Sequence, residues 1–167
     1  MLTAPSLHAD LTAEFVNPIL VSTRTVFQTM FECTPRRSGL FIKESMIPRY
    51  EISAMIGITG KAAGTIVLSL SRRAALEILN RLVGVKADEI DRDVCDAVGE
   101  VTNMIAGQAK SQMEHLEASL SIPSIVSGVD HTIYFPSNVQ PICILFDSEI
   151  GPFAIEVGFA EMHDPGL

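Results

Sequence analysis

The hydrophobic and polar positions along the chain predict three helices. Apolar residues recur at helical spacing from Asp10 to about Glu32, with Asp10 as the expected N-cap. Pro18 should kink this helix or mark its true start. A second helix is expected from the cap Ser71 to Val83, and a third from about Asp88 to Leu116.

Alternation of apolar and polar positions predicts strands elsewhere. Tyr50 to Ile58 alternates, and a turn from Gly60 to Gly64 joins it to a second alternating run that ends at Leu70, which is the pattern of an antiparallel hairpin. The later expected strands are Ile125–Val129, Thr132–Phe135, Ile142–Phe146 and Phe153–Phe159. Long helices grouped apart from strands with short connections favour the α+β class, with the helices packed on an antiparallel sheet.

Length and composition indicate a single domain and an expected location in the cell. The chain has 167 residues and is 47% hydrophobic, enough for one domain over residues 1–167 to bury a core without disulfides or a structural metal. Residues 1–9 and 162–167 are expected to be flexible tails. The apolar runs are far shorter than the roughly 20 residues that span a bilayer, and the first ten residues lack the layout of a secretory signal. A cytoplasmic location and no membrane partner are therefore expected.

Charge and ligand-type residues exclude several classes of function. The formal net charge of −8 disfavours a nucleic-acid partner. The three cysteines are far apart and no histidine has an i, i+4 partner, so buried thiols and no intrinsic metal are expected. The sequence has no glycine-rich phosphate loop and no Gly-x-Ser-x-Gly motif. The basic pair Arg36-Arg37 is expected in a solvated loop that runs to Arg49, with contact to an acidic partner as the alternative.

The third predicted helix has two opposite lines of residues, at about 100° per residue. One line is apolar and should face the core: Val94, Val98, Val101 and Ile105. The opposite line is polar or small: Asp96, Glu100, Asn103 and Gly107. A solvated helix face is the ordinary interpretation of such a pattern.

Three details of the polar line favour a binding surface instead. Glu100 repeats the charge of Asp96 at i, i+4 and has no basic residue at i±3 or i±4, so it is free to meet a partner's cation. Gly99 and Gly107 each cost roughly 1 kcal/mol relative to alanine inside a helix, and small residues would let a partner's backbone approach. Asn103 is a poor helix former whose amide can both donate a hydrogen bond to a water and accept one from it.

Three segments resemble one known family. The first segment is DAVGEVTNMIAGQAK, from Asp96 to Lys110. It resembles the signature of the CheX branch of the CheC-type chemotaxis phosphatases. Two other segments resemble the same family, MIGITGKAAGTIVLSLS from Met55 to Ser71 and PSIVSG from Pro123 to Gly128. The likeness follows nearly the whole chain in order, and it implies the sheet with packed helices of CheC and CheX proteins.

The resemblance implies a phosphatase that hydrolyses the phospho-aspartate of a CheY-type response regulator. Asn103 would orient the attacking water, and Glu100 would pair with the lysine of the receiver domain. Asp96, Gly99 and Gly107 would contact this partner. The receiver would supply Mg²⁺, and no intrinsic cofactor is expected. The resemblance also implies a homodimer joined through sheet edges, for which an edge strand near Val129 to Phe135 is the candidate.

An earlier copy of the motif raises a further possibility. Asp10-x-x-x-Glu14-x-x-Asn17 repeats the spacing of the later motif. Members of the CheC branch carry two such sites, whereas CheX-type chains generally work with the later one. Because Pro18 follows the asparagine and Val21 replaces the downstream glycine, Glu14 and Asn17 are expected to be a structural remnant, with an active second site as the alternative.

Two other function classes stay open at this point. The main alternative is a non-catalytic docking module, similar to the flagellar-switch middle domains, that binds a response regulator or a switch component through the same helix. A small-molecule binding domain is less favoured, because the predicted strands carry no convergent polar cluster.

Overall fold

Helices pack on one face of an antiparallel sheet in the computed structural model, which describes residues 6–161. The helices are α1 (Ser6–Phe31), α2 (Arg72–Val83) and α3 (Arg92–Ser111). The strands are β1 (Arg36–Ile42), β2 (Ile52–Thr59), β3 (Ala62–Leu70), β4 (Ser119–Leu120), β5 (Ser124–Ser127), β6 (Ile142–Asp147) and β7 (Phe153–Glu161). The predicted α+β class is confirmed.

The sheet runs in the order β1-β6-β7-β3-β2-β4, and β5 also pairs with β2. The predicted hairpin is confirmed, because β2 and β3 pair antiparallel from Ile52↔Leu70 to Ile58↔Gly64. Alternate residues of β2 are buried in the core beneath the helices: Ile52, Ala54, Ile56 and Ile58. The period of two that identified this strand therefore also identified its core face.

Helix α1 begins earlier than the sequence pattern predicts. Asp10 lies inside the helix rather than at its N-cap, and residues 6–9 are helical rather than part of a tail. Leucine and alanine are good helix formers, which is consistent with the helix extending back through Leu7 and Ala9. Pro18 lies within α1 and does not mark its start. Residues 1–5 and 162–167, expected to be tails, lie outside the described residues.

Helix α2 has the predicted ends. The Ser71 hydroxyl accepts a hydrogen bond from the Ala74 N–H at 3.2 Å, and this caps the first turn. Gly84 follows the last residue with φ of 72°, a left-handed conformation that glycine adopts without strain and that stops the helix.

Helix α3 is shorter than predicted at both ends. Asp91 accepts a hydrogen bond from the Val94 N–H at 3.0 Å, and this cap places the start at Arg92 rather than near Asp88. The helix ends at Ser111, and residues 114–116 form a separate 3-10 turn. The acidic residues of the 88–91 segment precede the helix instead of lying inside it.

The prediction of a strand at Thr132–Phe135 is wrong. Ile133 and Phe135 are buried against Val67 on the face of the sheet opposite the helices, so alternate residues are buried although the segment joins no strand. The proposal of an exposed edge strand near Val129 to Phe135 fails for the same reason.

The first part of the basic segment, Arg36–Ile42, forms the strand β1 and not a loop, whereas residues 43–49 are irregular as expected. This strand lies at one edge of the sheet and pairs antiparallel with β6, with an irregularity between Arg37 and Gly39. Nearly all its side chains are exposed, because only one edge is paired and neither face is well covered. An edge strand without a buried face has no alternating pattern to reveal it.

Aromatic contacts fix α1 on the sheet. Phe27 stacks on Phe153 of β7 with ring centroids 4.5 Å apart, and Phe15 stacks on Phe159 at 3.9 Å. Because α3 packs against both α1 and α2, this anchoring also holds α3 in place.

The opposite face of the sheet holds a buried ion pair. Lys43 Nζ lies 2.5 Å from Glu156 Oε2, and the two side chains are only 5% and 1% exposed. Cys143 is close to this pair, and burial raises the pKa of its thiol to about 11. The expectation of buried thiols is confirmed for Cys33 and Cys143, whereas Cys95 is half-buried.

Candidate functional site

Helix α3 presents its apolar line to the core and its polar line to solvent, as predicted. The apolar line is at most 1% exposed: Val94, Val98, Val101 and Ile105. The opposite line is exposed throughout: Asp96, Glu100, Asn103 and Gly107. We refer to these four exposed residues as the docking stripe.

The docking stripe lies on a firmly held support. Asp91 caps the start of α3, and at its other end Gln112 donates a hydrogen bond to the Ser22 hydroxyl of α1 at 2.9 Å. Nine residues of the helix are buried against the sheet and the two neighbouring helices. Polar groups on such an element keep a defined spacing, which a flexible loop would not provide.

Glu100 and Asn103, at the centre of the stripe, have side chains without a polar partner among residues 14–160. Neither the carboxylate nor the amide forms an ion pair or a side-chain hydrogen bond with any residue between Glu14 and Ala160. Residues at i and i+3 of a helix have Cβ atoms about 5–6 Å apart. The two side chains can therefore reach neighbouring atoms of one docked partner.

Asp96 is only weakly engaged within the chain. Its carboxylate lies 4.0 Å from the Arg92 guanidinium, and the two side chains are 74% and 92% exposed. An exposed pair of this kind contributes little to stability because water screens it. Asp96 can therefore exchange Arg92 for a cation on another molecule.

The two glycines of α3 have different surroundings. A Cβ atom built at Gly107 would have no heavy atom within 4 Å, so this position is open to a partner. A Cβ at Gly99 would lie 3.4 Å from Ile125 Cδ1 and 3.6 Å from Pro123 Cγ, and Gly99 is buried. Gly99 was expected on the partner surface, but its own chain covers it, and it is not part of the exposed docking stripe.

Two depressions flank the docking stripe, and the sequence did not reveal either. A notch of about 300 Å³ lies beside Asp96 and Glu100, between α3 and the end of α2. A groove of about 600 Å³ lies beside Asn103 and Gly107, toward the 3-10 turn. Both depend on how consecutive elements pack, α2 against α3 at the notch and α3 against the segment after it at the groove. The hydrophobic pattern of each element alone does not give that packing.

In the earlier copy of the motif the asparagine is exposed, but the glutamate is engaged within the chain. Asn17 is exposed on α1, as its position in the repeat requires. Glu14, the counterpart of Glu100, contacts the Nε2 atom of His115, which follows α3. Its carboxylate is thus engaged within the chain, whereas that of Glu100 is not.

The described residues contain neither a candidate metal-ligand cluster nor a membrane-spanning helix. Among the residues that the structure describes, no three His, Cys, Asp or Glu side chains cluster as the ligands of a metal ion would. Between Ser6 and Glu161, no helix is long and apolar enough to cross a membrane.

Comparison with known proteins identifies the family. A family model described as chemotaxis phosphatase CheX matches residues 52–147, which include the whole docking stripe. The CheY-P phosphatase CheX of Thermotoga maritima is 30% identical over 125 residues, covering 71% of this chain and 78% of that protein. The chain belongs to the CheX family. The family predicted from the three sequence segments is confirmed.

Solved structures of CheX-family proteins share the fold. The chemotaxis protein CheX of Vibrio vulnificus superposes with a TM-score of 0.80 at 33% identity, covering 89% of this chain and 100% of that one. The CheX of Borrelia burgdorferi, crystallised with CheY, BeF₃ and Mg²⁺, has a TM-score of 0.72 at 20% identity, covering 89% and 98% of the two chains. The CheC/CheX-like architecture is thus confirmed, and the second of these likenesses concerns the fold alone.

Proposed function

We propose that this CheX-family chain hydrolyses the phospho-aspartate of a CheY-type response regulator. One observation carries the proposal: Glu100 and Asn103 lie one turn apart on the exposed face of a rigidly packed helix, with no partner among residues 14–160. The activity in the name of the Thermotoga maritima relative supports the same chemistry.

Asn103 supplies what a phosphorylated receiver lacks, which is an oriented water. Water attacks phosphorus in line, the bond between phosphorus and the aspartyl oxygen breaks, and inorganic phosphate and a free carboxylate are released. The Mg²⁺ and the lysine that neutralise the phosphoryl oxygens belong to the receiver. The Asn103 amide can donate one hydrogen bond and accept another, so it can hold the water without acting as a strong base.

Glu100 sets the register of the docked helix. Its carboxylate pairs with the receiver lysine, and a charge-assisted hydrogen bond of this kind is both short and directional. Because Glu100 precedes Asn103 by one turn, this pairing fixes where the amide meets the phosphoryl group. Asp96 adds a second acidic contact, and Gly107 leaves room for the partner's backbone.

The specific alternative is a docking module without activity. It would bind a receiver or a flagellar-switch component through the same stripe, and Glu100 alone would serve that purpose. We favour hydrolysis because a scaffold gains little from an exposed mid-helix amide, and asparagine is a poor helix former. The two functions differ in whether the receiver loses its phosphoryl group.

We also propose a homodimer that forms at the free edge of β1. Within the described residues this strand pairs on one side only, with β6. Its exposed apolar residues are Leu40, Phe41 and Ile42, at 45%, 42% and 52%. A second copy can pair its own β1 there and cover these side chains. Light scattering that finds a monomer would reject the dimer. A cytoplasmic location, where such receivers act, completes the proposal.

The decay of a phosphorylated CheY-type receiver, followed with Mg²⁺ and a substoichiometric amount of the chain, tests the function. We expect accelerated decay over many turnovers. Glu100→Ala should raise KM and lower kcat, whereas Glu44→Ala, at an exposed glutamate in the loop after β1, should match the wild type. Binding of the receiver without any acceleration would establish the docking module instead.

A further inference from the structure

The notch beside the docking stripe has an apolar floor and an acidic rim. Five residues from the end of α2, the loop after it and α3 form the floor: Leu79, Leu82, Val83, Val85 and Ala97. Three carboxylates form the rim: Asp93, Asp96 and Glu100. Because Asp96 and Glu100 belong to both surfaces, the notch continues the docking stripe.

Two valines of the floor are exposed to solvent. Val83 and Val85 are 63% and 48% exposed. Gly84 lies between them in the left-handed conformation, with its N–H bonded to the Asn80 carbonyl. This turn holds both valines along the notch. An apolar surface that adjoins a recognition helix is an expected contact for a partner.

The rim determines which partner side chain fits. Asp93 and Glu100 form no ion pair with residues 14–160, and Asp96 has only the exposed Arg92 at 4.0 Å. Three carboxylates around an apolar floor would repel an acidic group. A lysine or arginine side chain suits both parts, since its alkyl stem covers apolar surface while its charged head stays at the polar edge.

We infer that the notch binds a second basic residue of the receiver, distinct from the lysine that pairs with Glu100. Its stem lies on Val83 and Val85, and its head group lies between Asp93 and Asp96. This inference rests on the proposed function, because it assigns an additional contact to the same docked receiver. Ala97 of the floor precedes Asn103 by six residues, about 9 Å along the helix axis. The contact therefore acts on docking and not on the phosphoryl group.

Receiver-dephosphorylation kinetics of matched variants test the inference. In Val83→Ser/Val85→Ser we expect KM to rise about tenfold with kcat retained at saturating receiver. Asp93→Asn should raise KM severalfold and weaken the dependence of KM on salt, because one screened attraction is lost. The controls are Val129→Ser and Asp130→Asn, both on the exposed loop at the opposite face of the sheet, and both should match the wild type.

The outcomes separate this inference from the proposed function. If the wild-type chain does not accelerate decay, the proposed function fails, and the inference about the notch, which rests on it, fails with it. If the wild type is active and the double valine variant keeps its KM, the inference alone is overturned. A raised KM in the valine variant with no change in Asp93→Asn also overturns it, because the occupant would then carry no positive charge.

Discussion

Replacement of Gly107 by alanine should make the chain more stable and less able to bind its receiver. Gly107 is inside α3 with no positive φ, and an added Cβ would have no heavy atom within 4 Å. Alanine in a helix interior is favoured over glycine by about 0.8–1.0 kcal/mol. For a domain of this size, 1 kcal/mol corresponds to roughly 2–4 °C in the melting temperature. The unfolding midpoint should therefore rise by roughly this amount.

The same methyl group should obstruct docking. If a receiver's backbone approaches the stripe at Gly107, we expect KM for the phosphorylated receiver to rise about tenfold, which corresponds to ~1.4 kcal/mol. Gly99→Ala is the matched control on the same helix, because its Cβ would meet Ile125 and Pro123 of the same chain and not the partner. That variant should keep its KM, with a smaller change in stability.

Thermal unfolding and receiver-dephosphorylation kinetics on the same preparations measure both effects. A more stable Gly107→Ala variant with weaker docking would show that the glycine is retained for its partner at the expense of helix stability. A melting temperature that falls would contradict the open position of Gly107. A stabilised variant with unchanged KM would refute its docking role.

Three further predictions concern the buried pair and the earlier motif copy. Lys43→Met should lower the free energy of unfolding, measured in urea, by about 3 kcal/mol, because Glu156 is left buried without its cation. Adding Glu156→Leu to this variant should recover most of the loss. A loss below about 1 kcal/mol in Lys43→Met would contradict the importance of the pair. Burial raises the pKa of the Glu156 carboxyl, so the folded state retains a proton that the unfolded chain releases, and stability should fall as pH rises from the unfolded pKa through the folded pKa. Glu156→Gln should remove that part of the pH slope, and an unchanged slope would exclude Glu156 as its source. Asn17→Ala should leave turnover unchanged, since Glu14 is engaged by His115, and a large loss would show that the earlier copy is active.

The docking stripe could be predicted because it is a local property of one helix. The period of 3.6 residues separates Val98 and Ile105 from Glu100 and Asn103 whatever the rest of the chain does. The absence of a basic neighbour for Glu100 on its own helix could also be predicted, because no basic residue lies within one turn of it in the sequence. The hairpin of β2 and β3 was predictable for a similar reason, as both strands alternate and the turn between them is short.

Features that depend on how elements pack against one another could not be predicted. The β1 strand has no alternating apolar pattern, because it lies at an edge and is exposed on both faces. The 132–135 segment alternates without being a strand, since burial against Val67 produces the same pattern. Gly99 was assigned to the partner surface, yet the chain near Pro123 returns to cover it. The notch likewise exists only because α2 and α3 pack side by side.

The most direct test of the account is the decay of a phosphorylated CheY-type receiver in the presence of Asn103→Ala, with binding of the beryllofluoride-treated receiver measured on the same variant. We expect this variant to bind the receiver within about threefold of the wild type, because Glu100 and the notch are intact, and to accelerate hydrolysis no longer. Decay at the wild-type rate with Asn103→Ala would contradict the assignment of the water-orienting role to Asn103.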